Sequence, residues 1–136
     1  RDALAWVAHA SGIALANAGL GAVHGLAGVL GGETGAAHGV ICARLLPGVL
    51  AVLDRSAETP ETRRRLSEVR AEIDAAVPGG FVGFGRWMAG HGLPALPALD
   101  EAGLARVAEA ARGASSMKAS PVSFDAPALA AIVANA

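Results

Sequence analysis

The chain alternates long apolar stretches with short glycine- or proline-marked breaks, and the apolar spacing is helical throughout. Asp2 sits where a helix N-cap belongs and predicts a helix over Ala3–Asn17. Gly19-Leu20-Gly21 marks a break. A second, short helix then carries His24 and ends at Gly31-Gly32, and a third begins near Ala36 and runs through Leu45-Leu46. Pro47 is expected to end or kink that third helix, because proline lacks the N–H its interior needs. Asp54 to Glu58 is a polar stretch read as a loop. Thr59-Pro60-Glu61 then opens a charged helix with Leu66, Val69 and Ile73 along one face. Pro78-Gly79-Gly80 breaks the pattern. Phe81 to Ala89 is helical, with Phe81, Phe84 and Trp87 spaced three apart as a packing stripe. Gly90-His91-Gly92-Leu93-Pro94 stops it. Asp100 caps a helix over Glu101–Arg112, Ser115 to Lys118 is read as a loop, and Asp125 with Pro127 opens a last helix. No stretch alternates as a strand does, and no internal repeat is present. The fold class is therefore all-α, with about six to eight helices, in a single helical domain over residues 1–136.

Composition narrows this picture. Of 136 residues, 53% are hydrophobic but only 4% aromatic, with no tyrosine, so the apolar content is largely alanine and suits closely packed helices rather than strands. A net charge of −1 leaves no electrostatic footprint for nucleic acid or an acidic membrane. Ala3 to Gly32 carries no formal charge and is long enough to span a bilayer. His9, Asn17 and His24 interrupt it, and strongly apolar residues are sparse, so no membrane partner is expected and a buried pair of helices is. The single cysteine, Cys42, has no intrachain partner and fits a reducing, cytoplasmic setting. The chain starts at Arg1 without a signal-peptide pattern and is read as a fragment or processed product.

The candidate chemistry lies in two histidines, His24 and His38, fourteen residues apart. On one straight helix they would be about 21 Å apart. A single metal ion needs both ligand nitrogens within about 2.0–2.1 Å of it. They can share an ion only if the chain reverses between them, and Gly31-Gly32-Glu33-Thr34-Gly35 is a turn signal at the required place. Two histidines are too few to hold a divalent ion tightly, which predicts weak or absent metal binding by this chain alone. His9, His91, Glu33, Asp54 and Cys42 are the other possible donors, and none has a compelling spacing. On spacing alone the commoner outcome for such a pair is a structural role, and Cys42 reads as a small packed residue. The arginines of the charged helix read as a solvated face. The glycine-rich pieces fail as dinucleotide fingerprints, since Gly19-Leu20-Gly21-Ala22-Val23-His24 has histidine in place of the third glycine and follows no strand.

These residues together carry a resemblance. Asn17-Ala18-Gly19-Leu20-Gly21-Ala22-Val23-His24-Gly25-Leu26-Ala27, Leu30-Gly31-Gly32, Ala37-His38-Gly39-Val40 and Leu45-Leu46-Pro47 resemble the signature of the iron-containing (group III) alcohol dehydrogenases. Ser115-Ser116-Met117-Lys118 with Pro121 is similar to that family's C-terminal loop. The resemblance implies the multi-helix C-terminal domain of a dehydroquinate synthase-like fold, preceded by a nucleotide-binding domain that holds NAD or NADP. It implies hydride transfer between an alcohol or aldehyde and the nicotinamide, with a divalent metal, Fe or Zn, as Lewis acid. The family's metal is held by one aspartate and three histidines. His24 and His38 match the last two, and the other two would lie upstream, together with the nucleotide domain and the start of the helical domain. A homodimer is expected for the full-length form, and an inactive state for this chain alone. Many relatives have a further histidine one turn after the position His24 matches; here that residue is Gly28. Maleylacetate reductase-like oxidoreductases are near relatives. A non-catalytic helical interaction domain is the reading from a different class.

Overall fold

The computed structural model describes residues 1–136. Seven α-helices and one 3-10 turn follow in order, with no strand: α1 (Asp2–Ala18), α2 (Ala22–Thr34), α3 (His38–Ser56), α4 (Pro60–Ala76), α5 (Gly80–Ala89), α6 (Glu101–Arg112), the 3-10 turn Ser115–Ala119, and α7 (Ala126–Ala134). Their starts follow local chemistry. Thr59, Asp100 and Asp125 each accept a hydrogen bond from the backbone N–H three residues on, satisfying a donor that the first turn leaves unpaired. Asp74 does this from a distance, accepting the Phe81 N–H at the head of α5 at 2.7 Å.

The core is made by α2, α3, α6 and α7. Leu26, Leu30, Ile41, Leu45, Val107 and Leu129 are its largest fully buried side chains. Phe124, just before α7, closes one side of the same cluster. Close approach depends on small residues. Gly25 of α2 lies directly under the Met117 side chain of the 3-10 turn, so a Cβ there would collide with the thioether. The C-terminal turn is thereby seated against the helix that carries His24.

Three features depart from the sequence reading. Helix α3 passes through Pro47 and continues to Ser56, absorbing part of the stretch read as a loop. Proline forfeits one hydrogen bond there, but Val49 beyond it is buried and Val52 and Leu53 pack on the core, so burial outweighs the local penalty. Residues Ser115–Ala119 form a 3-10 turn rather than an irregular loop. The expected buried pair of N-terminal helices is half realised: α2 is a core element, whereas α1 has no buried residue. Helix α1 makes no extensive contact with any other element. No single helix is long and apolar enough to cross a membrane. The α1–α2 pair reaches that length and composition only with a 99° bend at its break.

The aromatic stripe on α5 forms a small cluster away from the main core. Phe84 is buried and stacks on Trp87 with ring centroids 6.3 Å apart, while Phe81 and Trp87 are half-buried. Arg70 of α4 joins this cluster to α3. Its guanidinium lies 4.8 Å over the Phe81 ring and reaches Asp54 at 2.6 Å. The arginines earlier on α4 pair along their own helix: Arg64 and Arg65 contact Glu61 at 2.8 and 3.0 Å, and both also reach Glu68. Those pairs hold the Glu61 carboxyl below the usual carboxylate range, with Arg64 the larger cause.

Candidate metal centre

The reversal that the histidine spacing requires is present. Helix α2 ends at Thr34, Gly35 takes the left-handed conformation at φ 67°, and its N–H returns to the Gly31 carbonyl. Thr34 ties the turn down from both sides, donating to the Leu30 carbonyl at 2.7 Å and accepting the Ala36 N–H at 3.3 Å. After the short link through Ala37, α3 begins on His38 itself. His24 stands on the first turn of α2 and His38 on the first turn of α3.

The two imidazoles meet. His24 Nδ1 lies 3.1 Å from His38 Nε2, with ring centroids 5.3 Å apart. Two neutral ring nitrogens that both present lone pairs would repel at that distance. The geometry requires a shared proton, with one imidazole N–H donating to the other, or a cation held between the two. Cys42 joins them one turn further along α3. Its Sγ lies 3.4 Å from His38 Nε2 and 3.8 Å from His24 Nδ1. The three donor atoms form one metal-sized group, with His24 and Cys42 half-buried and His38 exposed. Burial pushes the Cys42 thiol above its ordinary pKa, and a backbone hydrogen bond that favours the thiolate offsets this in part.

The donor set fits a divalent ion. Tetrahedral coordination with metal–nitrogen bonds of about 2.0–2.1 Å separates two ligand nitrogens by about 3.3 Å. The observed nitrogen–nitrogen distance of 3.1 Å is close to that edge.

The remaining sequence candidates stand away from the cluster. Asp54 pairs with Arg70 at 2.6 Å, and Glu33 faces Arg106 at 3.7 Å. The His91 imidazole donates to the Trp87 carbonyl at 2.8 Å and lies 4.3 Å from the Trp87 ring. His9 stands beside Trp6 on the exposed α1. Cys42 is therefore the residue that the sequence reading undervalued. The signal was available: His38 and Cys42 are four apart on one helix, so they share a face.

An apolar cleft of about 490 Å³ opens beside the cluster. His24 and Cys42 form part of its wall, and Leu46, Leu50, Leu53 and Met88 supply much of its apolar lining. Ser120 and Pro121, following the 3-10 turn, complete one edge. Gly28, one turn beyond His24, is exposed and has open space where a side chain would stand.

Comparison with known families gives one match, to the C-terminal part of the Fe-containing alcohol dehydrogenase family, over residues 1–76. The match spans α1 to α4 and includes His24, His38 and Cys42. The similarity noted around Ser115–Lys118 lies outside it. No curated protein and no solved structure matches the chain. An all-α fold and a family match over more than half the chain, including the glycine turn that brings His24 and His38 together, lead to one assignment: the chain belongs to the Fe-containing alcohol dehydrogenase family, in its C-terminal region.

Proposed function

We propose that this chain is the metal-holding helical part of an NAD(P)-linked alcohol dehydrogenase, and that His24 and His38 are two of its metal ligands. The observation that carries this reading is the 3.1 Å approach of the two imidazole nitrogens, made by the turn at Gly35 inside the matched segment. When bound, the metal (Fe or Zn) supplies Lewis acidity at the oxygen of an alcohol or aldehyde. The chain's own residues do the rest of the work described by the fold. His24 and His38 would hold that metal, and His24 also borders the apolar cleft. Leu46, Leu50, Leu53 and Met88 bind the hydrocarbon body of the substrate and exclude water from it.

The nicotinamide cofactor, NAD or NADP, is assigned mainly to the family's N-terminal nucleotide-binding domain, so that hydride transfer belongs to the two-domain enzyme rather than to these helices alone. The enzyme is expected to be a cytoplasmic homodimer. Gly28 leaves the turn beyond His24 without a titratable side chain, so no proton relay is assigned there.

The test is metal analysis and turnover of the full-length gene product with a panel of alcohols and aldehydes and both nicotinamide cofactors. The expected result is metal-dependent oxidoreductase activity that is lost, together with bound metal, in His24→Ala and in His38→Ala. Full activity with undiminished metal content in both variants would overturn the reading.

A further inference from the structure

We infer that Cys42 is a metal donor beside His24 and His38, giving a two-nitrogen, one-sulfur group through which this chain holds a divalent ion even without the upstream donors, and tilting its preference from Fe²⁺ toward Zn²⁺. This rests on the assignment of His24 and His38 as ligands and goes beyond it in the third donor and its consequence for metal choice.

The geometry points there first. An ion with metal–nitrogen bonds of about 2.0–2.1 Å and a metal–sulfur bond of about 2.3 Å, in tetrahedral arrangement, places nitrogen and sulfur about 3.6 Å apart. Cys42 Sγ stands 3.4 and 3.8 Å from the two imidazole nitrogens, which are 3.1 Å from each other. All three edges of the donor triangle are thus within a few tenths of an ångström of one tetrahedral face. The fold fixes two corners on a single rigid element, because His38 and Cys42 are one turn apart on α3. The third corner is set by the Gly35 turn and the contact of α2 with α3.

The chemistry of the donors gives the preference. Three protein ligands and one open position is the pattern of catalytic zinc sites. Here His24 and Cys42 both border the apolar cleft. A thiolate is a soft donor that selects Zn²⁺ or Co²⁺ over harder ions, and Fe²⁺ already lies below both for a given site. As the metal–sulfur bond forms, the thiol proton leaves to solvent. Weak or absent binding, expected from two histidines alone, is thereby replaced by saturable binding to three donors.

Titration of the folded 136-residue chain with Co²⁺ under reducing, anaerobic conditions tests this, followed by competition with Zn²⁺ and Fe²⁺. The wild-type chain is expected to bind one Co²⁺, with visible ligand-field bands and a sulfur-to-cobalt charge-transfer band in the near ultraviolet. Cys42→Ser and Cys42→Ala, checked for unchanged helicity, should lose the charge-transfer band. They should bind Co²⁺ about 100-fold more weakly, at least the upper cost of losing a group that only supports a ligand. Their preference for Zn²⁺ over Fe²⁺ should also narrow. Wild-type binding without a sulfur band, unchanged in both variants, overturns the role of Cys42 and leaves the histidine assignment standing. No binding by the wild-type chain also overturns the inference, with the histidines still to be judged by metal content in the full-length protein. Binding that survives both His24→Ala and His38→Ala overturns the inference and the histidine assignment together.

Discussion

Helices α1 and α2 are close in composition and opposite in fate. Both are uncharged over most of their length and rich in small residues, α1 in alanine and α2 in glycine. Helix α2 buries Ala22, Gly25, Leu26, Ala27 and Leu30, whereas α1 buries nothing and leaves Leu4, Trp6, Val7 and Ile13 more than half exposed. The difference lies in the face each offers. Gly25, Ala22 and Ala27 make α2 thin enough for the 3-10 turn and α6 to approach, and its leucines then fill the space between α3 and α6. Helix α1 has its one glycine, Gly12, in open space, and its larger side chains spread around the helix rather than along one stripe. Apolar composition makes a helix; a flat face with facing partners makes a core element.

The contrast breaks most easily in the core. Only 17 of the 136 residues are buried, so each core leucine carries a large share of the stability. Leu26→Ala or Leu30→Ala should cost about 2–5 kcal/mol, enough to unfold a marginal domain. Leu4→Ala on α1 should stay within about 0.5 kcal/mol of wild type. Urea unfolding followed by circular dichroism reads both. A large loss from Leu4→Ala would show that α1 is packed after all.

Within α2 two glycines should respond with opposite signs. Gly25→Ala puts a methyl where the Met117 side chain stands, so that side chain must shift, and the change should destabilise by up to about 3 kcal/mol. Gly28→Ala meets nothing and should stabilise by up to about 1 kcal/mol, through helix propensity alone. Thermal unfolding of the two variants side by side checks the pair. Equal effects would mean that α2 does not face the 3-10 turn.

The smallest effect belongs to the solvated side of the molecule. The Glu61 carboxyl is held below its ordinary range by Arg64 and Arg65. A lowered folded-state pKa means that its stabilisation is present above the ordinary carboxylate pKa and is lost as pH falls through the lowered value. Acidification through that window should lower the helicity of α4 slightly, and added salt should shrink the effect, because the pairs are exposed. Circular dichroism across that pH range at two ionic strengths measures it, and an effect insensitive to salt would point to a buried rather than a surface network.

Much of this was legible before the structure. Thr59, Asp100 and Asp125 announced their helices because capping is a local property, satisfied within four residues. The turn between His24 and His38 was legible for the same reason, since Gly35 supplies the backbone conformation that the reversal needs. Pro47 does not end its helix because its penalty is local while the burial of Val49 beyond it is not. The exposure of α1 was hidden because its sequence says only that it is apolar and helical, and burial depends on what faces it. Cys42 was hidden in part: its spacing from His38 was visible, but its distance from His24 is set by how α3 meets α2.

X-ray absorption at the metal edge of the zinc-loaded chain tests the central claim most directly, because it reads the atoms bound to the ion. Two imidazole shells with nitrogen at about 2.0–2.1 Å, together with one sulfur at about 2.3 Å, are the expected result. They should be lost on replacing His24 and His38. A first shell of oxygen alone, with no imidazole scattering, would contradict the assignment of His24 and His38 as the metal site.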